Sequence, residues 1–75
     1  ERKPRAMIVA FDIPESYRRT RDWLRVELRF LGFEMLQKSV WFGPAPLPHD
    51  FVVMLKDLKI LKFIKFFDAK EHEVV

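Results

Sequence analysis

Apolar residues alternate along the chain between short continuous runs and helical stripes, and this pattern predicts the secondary structure. The first run covers residues 6–11, is apolar at every position, and is followed by Asp12 and Pro14. A continuous apolar run of this length indicates a strand that is buried on both faces. We therefore expect a cover on each side of this strand.

Residues 15–31 have apolar positions every three or four residues, which predicts a helix. Pro14 and Glu15 are typical of the first turn of a helix, and Gly32 is typical of its end. At 100° per residue the helix has three faces. They are an apolar face (Tyr17, Thr20, Leu24, Leu28, Leu31), a basic stripe (Arg18, Arg21, Arg25, Arg29) and a lateral strip (Trp23, Val26, Phe30). We expect the basic stripe to face outward and the lateral strip to pack on a neighbouring element.

The second half of the chain predicts four further structured elements and one loop. They are a strand at 33–36, a strand at 39–42, a loop at 43–48, a helix at 50–59 and a strand at 61–67. Gln37 and Lys38 mark the bend between the two strands. Three prolines at alternate positions predict a rigid loop without regular structure. Asp50 is expected to cap the second helix, and the charged tail from Asp68 is expected to fray.

The order strand, helix, strand, strand, helix, strand predicts a ferredoxin-like α+β fold, with a four-stranded antiparallel sheet and two helices on one face. The 75 residues are expected to form one domain with a basic tail at 1–5 and a second tail at 69–75. Nothing in the chain covers the other face of the sheet. Because so small a core gains stability from oligomerisation, we predict a homodimer through this side of the sheet.

Composition narrows the classes of function. Fourteen Lys and Arg against eleven Asp and Glu give a net charge of +3, which is compatible with a nucleic-acid partner. The chain has no cysteine and no apolar run near the ~20 residues of a membrane span, so we expect a soluble, cytoplasmic protein without a membrane partner. His49 and His72 have no second histidine at ligand spacing, which argues against zinc.

Four stretches of the sequence together resemble one protein family. They are 8–15 (IVAFDIPE), 18–25 (RRTRDWLR), 31–33 (LGF) and 36–41 (LQKSVW). From residue 6 to about residue 68 the chain resembles the central domain of phenylacetate-repressor-like (PaaX-like) transcriptional regulators. That domain is related to the small CRISPR-associated endonuclease that partners the CRISPR integrase during spacer acquisition. The resemblance implies a ferredoxin-like fold and a dimer.

The function that we favour is a non-enzymatic dimerisation and DNA-associated domain of such a regulator. Repeated guanidinium groups on one face suit phosphate neutralisation. The residues predicted to contact DNA or RNA phosphates, or a partner subunit, are Arg18, Arg21, Arg25 and Arg29. Arg2, Lys3 and Arg5 would extend the stripe. The other interpretation is a solvated helix face whose arginines pair with Asp22 or Glu27.

The resemblance also implies an alternative, a metal-dependent endonuclease that acts on RNA or DNA and partners the CRISPR integrase. Asp12 occupies the position of the proposed metal ligand, one from each subunit, and Mg²⁺ or Mn²⁺ would be the cofactor. Ser39 would orient a metal-bound water, and Glu15 would be a further ligand. Each of these residues also has an interpretation without catalysis. Asp12 would orient the start of the helix, and Glu15 would complement the helix dipole. Ser39 would form a hydrogen bond within the sheet. The sequence leaves the presence of catalysis open.

Overall fold

The computed structural model describes residues 5–69, and its elements follow the predicted order. They are β1 (Ala6–Phe11), α1 (Arg18–Phe30), β2 (Glu34–Gln37), β3 (Val40–Pro44), α2 (His49–Asp57) and β4 (Ile64–Ala69). All neighbouring strands are antiparallel, in the order β2-β3-β1-β4. This arrangement confirms the ferredoxin-like α+β fold. Of the two predicted tails, residues 1–4 and 70–75 lie outside the described residues.

One face of the sheet carries the hydrophobic core. In β1 the buried Met7, Val9 and Phe11 alternate with half-buried residues. The register places Val9 beside Trp41 of β3 and Phe66 of β4, so these three side chains share the core face. Both helices pack on this face and complete the core with Leu24, Leu28, Phe51 and Leu55. The sequence predicts that β1 is buried on both faces. Within one chain, only the face that packs against the helices is buried, and the other face is half-buried.

The first half of the predicted helix differs from the prediction in where the α-helix begins, and it agrees with the prediction in the packing of Trp23. Residues Glu15–Tyr17 form a 3-10 turn, and the α-helix begins only at Arg18. The Trp23 ring stacks on Phe51 of α2, with centroids 6.0 Å apart. This contact is the packing that the sequence predicts for the lateral strip.

The lateral strip does not pack along its whole length. Val26 is 55% exposed and Phe30 is 85% exposed, so the prediction is wrong for these two residues. The topology makes α2 antiparallel to α1, and α2 begins beside Trp23. The second half of α1 therefore extends past the start of α2.

Both helices end in the same hydrogen-bonding pattern. After α1, the Phe33 N–H donates to the Leu28 carbonyl at 2.9 Å, and Gly32 has a φ of 92°. After α2, the Ile60 N–H donates to the Leu55 carbonyl at 3.2 Å. This is the Schellman motif, in which a residue in the left-handed region reverses the chain and a buried apolar pair closes the end of the helix.

Strand β3 is longer than predicted. Gly43 and Pro44 pair with Met7 and Ala6 and belong to the strand, so the irregular loop begins only at Ala45. Gly43 is required because a Cβ at this position would overlap the ring of buried Phe33. A proline is tolerated at Pro44 because it is the last residue of the strand.

Strand β4 begins later than predicted. Residues Leu61–Phe63 form a 3-10 turn, because the Phe63 N–H donates back to the Ile60 carbonyl at 2.9 Å. The strand starts at Ile64 and includes Asp68, where the sequence predicts a fraying tail. No helix within residues 5–69 is long and apolar enough to cross a membrane.

Candidate nucleic-acid interface

Three segments of the chain meet at one end of the sheet, where β1 ends. The Phe11 N–H donates to the Ser39 carbonyl at 3.0 Å, which joins β1 to the turn between β2 and β3. The next residue, Asp12, donates its N–H to the Phe63 carbonyl at 2.9 Å, which joins β1 to the turn before β4. This end of the domain therefore holds the predicted catalytic residues and the start of α1.

Asp12 is exposed at this end of the sheet. Its carboxylate makes no hydrogen bond or ion pair with any described residue. The residues at the capping positions of the 3-10 turn and of α1 are Pro14 and Tyr17, and neither position has a side-chain cap. The carboxylate is thus directed to solvent, and the interpretation that Asp12 orients the start of the helix has no supporting side-chain contact.

Ser39 joins the sheet through its main chain. Its carbonyl is the acceptor for Phe11, whereas its hydroxyl has no hydrogen bond to any residue between 5 and 69. The predicted side-chain bond within the sheet is therefore not observed. The side chain is half-buried beside the end of β1.

The described residues do not provide a metal site within one chain. No group of three or more histidine or acidic side chains from 5 to 69 is arranged to hold a metal ion. Glu15 is engaged by arginines, so Asp12 is the one free carboxylate among the predicted ligands. A single carboxylate is too sparse a donor set for Mg²⁺ or Mn²⁺.

Two arginines of the basic stripe bind Glu15. Arg21 Nη1 donates to Glu15 Oε1 at 3.3 Å, and Arg18 Nη1 lies 3.5 Å from Glu15 Oε2. The Arg21 side chain is only 21% exposed, and its Nε is buried without a partner among the described residues. Arg18 is 66% exposed and directed outward.

The other two arginines lie over the aromatic core. Arg25 donates from Nε to the Lys38 carbonyl at 3.1 Å and from Nη1 to Asp22 at 3.1 Å, and its side chain is 23% exposed. Its guanidinium lies 5.9 Å from the ring centroid of Phe11, and that of Arg29 lies 5.3 Å from Trp41.

The expected outward orientation of the stripe is therefore wrong for Arg21 and Arg25. Their long apolar stems cover the side of the core while the charged groups reach the surface. Arg25 pairs with Asp22, as the alternative interpretation predicts, but its side chain is only 23% exposed and is not part of a solvated face. Glu27 forms no ion pair among the described residues. Phosphate binding by the stripe stays a prediction.

Outside the stripe, Arg5 Nη2, just before β1, lies 4.0 Å from Asp68 Oδ1 of β4. Arg2 and Lys3, which the sequence analysis adds to the basic stripe, lie outside the described residues, as does His72. His49 is exposed in the first turn of α2.

The structure also reveals a basic surface that the sequence analysis misses. Lys56, Lys59 and Lys62 line a single cleft with Leu61 where α2 gives way to the 3-10 turn. The signal was present in the sequence, since lysines recur at every third position from 56 to 65. That spacing matches neither a helix stripe nor an alternating strand, because the segment crosses α2, the left-handed turn at Lys59, the 3-10 turn and β4.

Comparison with known proteins identifies one family. The family model described as PaaX protein central Cas2-like domain matches residues 6–74, which is nearly the whole chain. Neither a curated protein nor a solved structure matches the chain.

Proposed function

The chain belongs to the family of PaaX protein central Cas2-like domains, and from this membership we propose that it is the dimerisation and DNA-associated domain of a PaaX-like transcriptional regulator. The dimer and the contact with DNA are two separate parts of this proposal. Each part has its own support in the geometry.

The observation that carries the proposal is the apolar face of the sheet opposite the helices. Ile8 of β1 lies between Phe42 of β3 and Phe67 of β4, so one apolar row crosses three strands. Phe67 is 50% exposed within the single chain. Burying a large apolar side chain contributes about 1.5–3 kcal/mol, so a second copy packed against this face would stabilise both domains.

The net charge and two outward arginines support the contact with DNA. The chain carries +3, and Arg18 and Arg29 are exposed on the surface of α1. Arg21 and Arg25 contribute mainly to the fold, since their guanidinium groups are engaged by Glu15, Asp22 and the Lys38 carbonyl. Exposed guanidinium groups bind phosphate oxygens without reading base sequence.

Light scattering over a range of protein concentrations tests the dimer. We expect a mass of twice 9.1 kDa at micromolar protein. A mass that stays at the monomer value through this range would contradict the proposal. The DNA part is tested separately, by the fluorescence anisotropy of a labelled duplex.

One observation favours a second function, the CRISPR-associated endonuclease that partners the integrase. Asp12 is exposed and unpaired among the described residues at the end of β1. Residues 5–69 of one chain do not supply the ligands for a metal ion, so this function draws on the Asp12 of a second subunit. Cleavage of RNA or duplex DNA with Mn²⁺, abolished by Asp12→Asn in a folded dimer, would establish it. Absence of cleavage with Mn²⁺ or Mg²⁺ would exclude it.

A further inference from the structure

The lysine cleft, defined by Lys56, Lys59 and Lys62, gathers three positive charges around one depression of about 430 Å³. All three residues are exposed. Leu61 forms part of the wall, and the Lys62 ammonium lies 5.4 Å from the ring centroid of Phe63. The three lysine side chains therefore line one shallow, open depression together with Leu61.

The charges of the lysine cleft are not neutralised by the part of the chain that the structure describes. Every ion pair between residues 5 and 69 is made by an arginine, and no lysine takes part in one. The arginines of α1 differ in this respect, because Glu15 and Asp22 bind three of them. Three unpaired like charges at one surface repel each other, and an anionic partner would relieve this repulsion.

The backbone of Lys59 gives an independent reason to assign the cleft a function. Lys59 has a φ of 64° and stands where the Schellman motif of α2 needs a left-handed residue. The equivalent position after α1 is Gly32. A glycine adopts this conformation without steric conflict, whereas a side chain is strained there. A strained residue other than glycine at an exposed position motivates a hypothesis of function.

An aromatic contact links the turn that carries Lys62 to the start of α1. The rings of Tyr17 and Phe63 contact edge to face, with centroids 5.5 Å apart. This contact holds the 3-10 turn that carries Lys62 against the start of α1, where Arg18 is exposed. The turn that carries Lys62 therefore lies beside the start of α1, where the exposed charged groups include Arg18, its partner Glu15 and Asp12, which is unpaired among the described residues.

We propose that the lysine cleft binds the phosphate backbone of duplex DNA without sequence preference. The inference extends the DNA-associated role proposed above and rests on it. An ammonium group is a point charge that neutralises phosphate without the two-pronged geometry that reads bases. Protein interfaces are depleted in lysine and enriched in aromatic residues and arginine, so a cleft lined by three lysines and one leucine fits a polyanion better than a protein surface.

The test measures the fluorescence anisotropy of two labelled duplexes of unrelated sequence between 50 and 300 mM NaCl. The triple variant Lys56→Gln, Lys59→Gln, Lys62→Gln is compared with the unaltered chain. We expect binding to weaken by about tenfold or more at low salt, equally for both duplexes, and the salt slope to fall by roughly 2–3 units for three lost phosphate contacts. Circular dichroism checks that the variant is folded.

Two further variants separate the lysine cleft from net charge and from misfolding. Lys38→Gln removes one lysine charge outside the cleft, at the turn between β2 and β3, which β1 separates from β4, and we expect less than about twofold weakening. Lys59→Gly removes one charge from the cleft and relieves its backbone, so it should weaken binding and lower the slope by about 1 unit in a more stable protein.

Four outcomes would overturn the proposal. If the triple variant binds both duplexes like the unaltered chain, with the same slope, the lysine cleft is not the contact and the DNA-associated role stands. If Lys38→Gln weakens binding as much as Lys59→Gly, net charge alone accounts for the effect. If polyglutamate displaces most of the duplex at equal charge concentration, the cleft prefers acidic protein to DNA. Failure of the unaltered chain to bind either duplex at 50 mM NaCl would remove the DNA-associated role itself, while light scattering still decides the dimer.

Discussion

Arg25 donates a hydrogen bond from Nε to the main-chain carbonyl of Lys38 at 3.1 Å, although the two residues are 13 positions apart. The same carbonyl accepts a hydrogen bond from Nε1 of the buried Trp41 at 3.0 Å. These two bonds join the middle of α1 to the turn between β2 and β3. A residue that sequence analysis assigns to phosphate binding thus acts as a connection between two elements of the fold.

Replacement of Arg25 by glutamine should therefore destabilise the fold. We expect the free energy of unfolding to fall by about 1–2 kcal/mol, since a charged donor to a main-chain carbonyl is lost. Urea denaturation measures the change. The matched control is Arg18→Gln, because Arg18 is mostly exposed and pairs with Glu15 alone; its effect should stay within about 0.5 kcal/mol. Equal effects of the two substitutions would contradict a structural role for Arg25.

Replacement of Gly43 by alanine should also destabilise the fold. Its Cβ would overlap the ring of Phe33, which is buried and has little freedom to move. Such overpacking costs about 1–3 kcal/mol. In the double variant Gly43→Ala, Phe33→Leu the two substitutions should destabilise by less than the sum of their separate effects. Additive effects in urea denaturation would show that the ring and the added methyl do not meet.

The ends of the two helices should respond in opposite directions to substitution. Gly32→Ala places a side chain at a φ of 92° and should lower the free energy of unfolding by about 1–2 kcal/mol. Lys59→Gly relieves a φ of 64° and should raise it by about 0.5–1 kcal/mol. Thermal and urea unfolding measure both changes. A loss of stability in Lys59→Gly would show that the lysine side chain contributes packing at the end of α2.

Replacement of Phe67 by glutamate should dissociate the proposed dimer. The substitution places a charge in the apolar row on the open face of the sheet, and the core on the other face is left intact. Phe30→Glu is the matched control, because Phe30 is 85% exposed on α1, away from the sheet. We expect light scattering to give a monomer mass for the first variant and a dimer mass for the second. Dissociation by Phe30→Glu alone would place the interface on the helices.

The fold was predictable to the extent that it depends on local pattern. The apolar run of β1, the helical stripe centred on Leu24 and Leu28, and the glycine after α1 are each visible within a few residues. The boundaries that differ from the prediction depend on distant contacts. Gly43 joins β3 because it pairs with Met7, and Leu61–Phe63 forms a turn because its hydrogen bonds go back to Ile60 and across to Asp12.

The candidate site was predictable in composition more than in arrangement. Helical spacing correctly places the arginines on one side of α1, but spacing does not show that this side also covers Phe11 and Trp41. Helical spacing also does not show which arginines form ion pairs with acidic residues of the same chain. Glu15 is six positions from Arg21, and only the folded chain brings their side chains within 3.3 Å.

The sequence by itself determined the order of the elements, the ferredoxin-like architecture and the family, because these follow from periodicity and from motifs that are contiguous in the chain. Only the tertiary structure decided which charges are available to a partner. In the folded chain, Arg21 binds Glu15 and Arg25 binds the Lys38 carbonyl. Lys56, Lys59 and Lys62 line one open cleft. The physical reason is that ion pairing and burial depend on distances between segments, and these distances exist only after the sheet and helices have packed.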